Sequence, residues 1–151
     1  MRARPATARA AGFSLLELML ALVVVAVLWL LAMPAYRGQL MAANRALARA
    51  ALLESAARQE QFRAEHRRYA AGLHDLGFPG DTYVIDREGQ PALAGTRGAI
   101  YNLRLSTGDG TFTLFAEPLG AQAGDRRCGT LTLSSLGIRG ATGGADAAEC
   151  W

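Results

Sequence analysis

A run of apolar residues from Phe13 to Tyr36, broken by one charge at Glu17, constrains this chain more than any other feature. A stretch of roughly 20 apolar residues is long enough to cross a bilayer as a helix. A carboxylate inside such a helix costs several kcal/mol unless it finds a partner, so it marks function by default. The plain alternatives are a simple N-terminal anchor and a cleaved secretory signal. A secretory signal places its small-residue cleavage site after the apolar region. Here Leu31-Ala32-Met33-Pro34 is a weak site of that kind, and a small residue, Gly12, stands before the run instead. Cutting at Gly12 would leave the apolar helix in the mature protein.

Charge placement orients the segment. Arg2, Arg4 and Arg9 precede it, and positive charge stays on the cytoplasmic side. Everything after the segment then lies outside the inner membrane, where disulfides persist. The net charge of +3 comes from those three arginines, so a chain beginning at Phe13 is neutral. A basic pI that belongs to a leader is weak support for nucleic-acid binding.

Beyond Tyr36 enough chain remains for one compact domain. Ala43, Ala46, Ala50, Leu53, Ala57 and Ala64 recur at helical steps, which predicts a stripe packed against another layer. Gln39 to Ala71 lacks Pro and Gly, so one helix is expected from Phe13 to about Tyr69. That is about 57 residues, or roughly 85 Å at 1.5 Å per residue. Pro34 removes one backbone hydrogen bond and should kink it. Such a helix cannot be buried within one small domain, so its first half must meet a bilayer or copies of itself. Strands are expected over Ala99 to Leu105, Thr111 to Glu117 and Gly129 to Ser134, with a fourth beginning near Ile138. A hairpin turn is expected at Gly108-Asp109-Gly110, and Tyr83-Val84-Ile85 reads as a further short extended piece.

Cys128 and Cys150 read as a disulfide, the alternatives being two free thiols or half of a metal site. Two cysteines with no second pair or neighbouring histidines make a poor zinc site. Closing that loop is worth on the order of 3 kcal/mol in the chain-entropy model. No phosphate loop, nucleophile elbow or metal spacing appears, and His66 and His74 form only a weak acid–base pair. The chain is therefore read as non-enzymatic, with no metal and no cofactor. Arg97, Arg104, Arg126, Arg127 and Arg139, with Tyr101, would make a phosphate-and-stacking face if they gathered on one side. The alternative is a scattered, solvated set. Among these, Arg126, Arg127 and Arg139 are the candidate DNA contacts.

With Phe13 at a new N-terminus, its ammonium lies within about one turn of Glu17. In an assembly, the Glu17 carboxylate of one subunit would pair with the Phe13 amine of the next. Such a buried pair selects geometry more than it stabilises. Negative charge in the first turn also suits the helix dipole.

Gly12-Phe13-Ser14-Leu15-Leu16-Glu17-Leu18 resembles the leader junction of type IV pilins and related pseudopilins, G-F-[ST]-L-x-E-[LM], with Pro34 at the family's usual distance. The rest resembles the PilE-type minor pilins, which are related to the DNA-uptake pilin ComP. That resemblance is carried by Arg58-Gln59-Glu60 followed by Tyr69, Leu76-Gly77, Thr111-Phe112-Thr113-Leu114, Cys128-Gly129-Thr130-Leu131 and Cys150-Trp151. It implies an α+β type IV pilin fold, a long N-terminal helix packed on a four-stranded antiparallel sheet. It implies a leader over 1–12, a transmembrane and assembly helix over 13–38, and a globular head over 39–151. A prepilin peptidase would cut after Gly12 and methylate the amine of Phe13. Assembly through Phe13, Glu17 and Pro34, with other pilin subunits, an assembly platform and an ATPase, would carry the chain from the inner membrane to an extracellular pilus. Ala26 stands where the family often has a glycine, which bears on unwinding between Ala26 and Pro34.

Three functions follow from the resemblance. The first is a minor pilin that primes or joins a pilus serving adhesion, twitching motility or DNA uptake. The second is a pilus-borne DNA receptor for natural transformation. The third is a type II secretion pseudopilin, against which the cysteine pair and the lack of an Asp-rich calcium loop both argue.

Overall fold

The computed structural model describes residues 14–151, so Gly12 and Phe13 lie outside the described residues. One long helix, α1 (Leu15–His66), opens the chain. Its residues belong to two compact units that divide between Gly38 and Gln39. In the first unit the large apolar side chains from Leu15 to Leu31 are half exposed or more. The segment is long and apolar enough to cross a membrane.

In the second unit, α1 is followed by strands β1 (Thr82–Ile85), β2 (Pro91–Leu93), β3 (Tyr101–Gly108), β4 (Thr111–Pro118), β5 (Leu131–Ser134) and β6 (Arg139–Ala141). A short helix, α2 (Ala147–Cys150), ends it. The strands form one antiparallel sheet of six, in the order β2-β1-β3-β4-β5-β6. Four of these are the expected strands, β1 is the short extended piece expected at Tyr83-Val84-Ile85, and β2 is the addition. Every residue from Tyr83 to Ile85 in β1 is buried, so the strand carries no inside–outside alternation to read. The three-residue β2 opens with Pro91, which is tolerated because the strand sits at the sheet edge.

The β3–β4 hairpin follows from its turn. Asp109 and Gly110 form a two-residue loop with φ of 50° and 71°, and Gly108 pairs with Thr111. Two left-handed residues in succession match the twist of the flanking strands. Tyr101 and Leu103 on β3 then share the inner face with Leu114 and Ala116 on β4 and with Leu131 and Leu133 on β5.

The helix presents a different face to this sheet than its sequence suggests. Ala43, Ala46, Ala50, Leu53, Ala57 and Ala64 are all exposed. The buried stripe is Asn44, Ala48, Ala51, Leu52, Ser55 and Gln59. Small residues surround this part of α1 on nearly every side, so apolar periodicity could not choose the face. Three positions on the buried face are polar, and each finds a hydrogen bond in the folded unit. Ser55 Oγ lies 3.1 Å from the Tyr83 hydroxyl and donates to the Ala51 carbonyl. Gln59 accepts from the Ala70 N–H and donates to the Ala70 carbonyl. The helix ends at His66, earlier than Tyr69, because Arg67 takes a left-handed φ of 61°.

Candidate functional site

The N-terminal locus lies in the first unit. Glu17 is exposed in the first turn of α1, and the Leu18 N–H donates to the Ser14 carbonyl at 3.1 Å. A contiguous exposed apolar surface of this extent needs lipid or partner helices to cover it. Pro34 lies within α1.

The C-terminal locus is built around the disulfide between Cys128 and Cys150, both buried. Four backbone bonds lay the following strand of chain along the 126–130 segment: Thr142, Gly143, Gly144 and Ala145 donate to the carbonyls of Thr130, Cys128, Arg126 and Arg127. Gly143 is required there, because a Cβ would come within 2.2 Å of the Arg127 carbonyl oxygen. Asp146 caps α2 by accepting from the Ala148 N–H. Trp151 donates its indole N–H to the Gly140 carbonyl, and Arg49 donates to the Trp151 carbonyl.

The five arginines do not gather on one face, which is the scattered alternative. Arg126 and Arg127 are neighbours on the exposed loop before β5, with Arg127 paired to Glu149. Arg139 stands over the Trp151 ring at 5.4 Å. Arg104 is on the outer face of the sheet, stacked on Phe115 at 3.7 Å and bonded to Glu117. Arg97 is exposed in the loop before β3. Tyr101 cannot serve as a stacking surface, since it is fully buried. The register puts it on the inner face, and Phe115 is the ring that keeps company with an arginine.

Tyr101 belongs instead to a buried polar cluster that joins α1 to the loop before the disulfide. Asn44 donates to Gln122 at 2.9 Å, and Gln122 donates to the Tyr101 hydroxyl at 3.1 Å and to Asp125 at 3.3 Å. Arg45 closes the cluster with an ion pair to Asp125 at 3.3 Å. Burial pushes the Tyr101 hydroxyl up to about 12, and burial does the same to Tyr83. Among the described residues, no buried side-chain nitrogen or oxygen lacks a partner. The cluster fixes the disulfide loop to the helix. No local pattern reveals it, because Asn44 and Gln122 are 78 positions apart.

Two other groups complete the polar inventory. His66 stacks on Phe62, and His74 is exposed in a short 3-10 turn. Among the described residues no group of His, Cys, Asp or Glu could hold a metal ion. Arg63, Arg67 and Arg68 gather at the end of α1 beside the β3–β4 hairpin tip. The sequence signal for that second basic group is the adjacent Arg67-Arg68 pair, one helical turn beyond Arg63.

A long helix with an exposed apolar N-terminal part, leading into a helix-backed antiparallel sheet closed by a C-terminal disulfide, defines a type IV pilin. Residues 34–132, well over half of the chain, match the family described as type IV minor pilin ComP, DNA uptake sequence receptor. Residues 7–33 match the prokaryotic N-terminal methylation motif. The chain belongs to this ComP family of type IV minor pilins. No individual curated protein matches it. It is a minor pilin anchored in the inner membrane before it joins an extracellular pilus. Its prepilin motif entails processing by a peptidase and assembly with other pilins.

Proposed function

We propose that this minor pilin is the DNA-binding receptor of its pilus and serves DNA uptake. The match of residues 34–132 to the ComP family carries the reading. A chain starting at Phe13 is neutral, so binding must come from local groups of arginine rather than from net charge. Arg126, Arg127 and Arg139 are proposed contacts at the C-terminal locus, where Arg126 has no ion-pair partner among the described residues.

In this reading 1–12 is the leader, 13–38 the transmembrane and assembly helix, and 39–151 the head. The peptidase cuts after Gly12 and methylates the Phe13 amine. Glu17 then pairs with that amine on a neighbouring subunit as the platform and ATPase drive assembly. The exposure of Glu17 among the exposed apolar side chains from Leu15 to Leu31 supports a partner supplied from outside the chain.

The test is a gel-shift titration of the full chain, in neutral detergent, against duplex DNA across a salt series. Binding should weaken linearly on a log–log plot, as expected when arginines release counterions from phosphates. No shift at low salt would overturn the receptor reading.

A further inference from the structure

Arg63, Arg67 and Arg68 line an open cleft of about 330 Å³, together with Tyr69, Asp109 and the hairpin tip around it. All three arginines are exposed, and Asp109 is the one acid among the lining residues. Arg63 is steadied by donating to the Tyr69 hydroxyl at 2.8 Å, with Glu60 at 3.9 Å. Arg68 lies over the Phe62 ring at 5.7 Å. Among the described residues neither Arg67 nor Arg68 has an ion-pair partner. Arg67 also holds a left-handed φ of 61°, at the position past a helix end where glycine is the usual residue. The left-handed residue ends the helix, and the guanidinium it carries is left without a carboxylate among the described residues.

We propose that this cleft grips the phosphate backbone of the DNA that the pilin binds, a site that rests on the receptor reading above. Guanidinium groups present N–H forks that fit phosphate oxygens two at a time. Contacts of this kind set the position of the duplex and carry no sequence information themselves. The cleft stands apart from the Arg126–Arg127 loop. Leu131, just after the Arg126–Arg127 loop, lies opposite Ala116 on β4, whereas the cleft sits at the Thr111 end. Five residues of strand separate these ends, roughly 17 Å.

The test measures anisotropy of labelled duplex DNA with the full chain in neutral detergent, over a salt series, for R67G, R67K, R68Q and the R126A/R127A pair. R67G removes the charge and relieves the backbone, so Tm should hold or rise while binding weakens roughly tenfold at low salt. Its salt slope should fall by about 0.9, the amount for one phosphate contact. R68Q should do the same, on unrelated duplexes alike, and R67K should keep the wild-type slope. Arginines that only complement the helix C-terminus would instead lower Tm when replaced and leave the slope unchanged, which would overturn the proposal. Wild-type affinity in R67G and R68Q, with loss confined to R126A/R127A, would overturn the cleft and keep the receptor. No binding by the wild type would overturn both.

Discussion

Removing the disulfide tests how the C-terminal chain is held. The perturbation is the paired change Cys128→Ser with Cys150→Ser, which avoids leaving one reactive thiol. The half-cystines are 22 positions apart, and a loop of that length is worth about 3 kcal/mol in the chain-entropy model. For a head of this size that lowers the urea midpoint by roughly 1–3 M. The loss should not spread evenly. Thr142 to Ala145 keep their four backbone bonds to the 126–130 segment, and β6 keeps its pairing with β5. The α2 turn has less: the Glu149 and Trp151 backbone N–H groups donate only within it, and its other ties are side-chain bonds from Arg49, Arg127 and the Trp151 indole. Hydrogen exchange of the full chain in neutral detergent, read amide by amide, should therefore show α2 opening while Gly143, Gly144 and Ala145 stay protected. An unchanged midpoint would refute the loop-entropy reasoning. Protection lost as far back as Arg139 would refute the claim that the ladder stands without the disulfide.

Gln59→Ala should destabilise the head by about 2–4 kcal/mol, since it strands both the N–H and the carbonyl of Ala70 in a fully buried place; a change under about 1 kcal/mol in urea unfolding would contradict this. Tyr83 and Tyr101 are pushed up to about 12 by burial, whereas unfolded tyrosine ionises near 10. The stability they contribute is complete below about pH 10 and is lost as pH rises towards 12, so a spectrophotometric titration showing every tyrosine ionising near 10 in the folded chain would sink the assignment. Gly12→Leu should leave an uncut precursor, seen by N-terminal sequencing, and a chain still beginning at Phe13 would disprove the cleavage site. Glu17→Ala should cut incorporation into sheared pili, and normal incorporation would remove the pairing role given to Glu17.

Where the sequence was misleading, the cause is local ambiguity. Alanines ring α1 between Ala42 and Ala57, so several faces look equally fit for packing. The face that packs carries Asn44, Ser55 and Gln59, which apolar patterning counts against burial. Strand β1 is legible only as a short extended piece, since a strand buried on both faces lacks alternation, and its partner β2 is not legible at all, because a Pro-led strand of three residues barely registers. Tyr101 was easy to assign to the surface as an aromatic amid arginines, yet its alternation with Leu103 places it inward.

The amino-acid sequence by itself determined the long helix, the apolar segment with its one carboxylate, the Asp109-Gly110 hairpin and the single pairing open to two cysteines. Each follows from period, turn chemistry or count, all of which act over short stretches or admit one solution. The tertiary structure alone decided which side of α1 meets the sheet, how Asn44, Gln122, Asp125 and Arg45 satisfy one another, and which arginines share a surface. Those outcomes rest on contacts between residues far apart in the chain. A buried polar group is tolerable only where a distant partner meets it, and an arginine gains a neighbour's field only after the fold brings the two together.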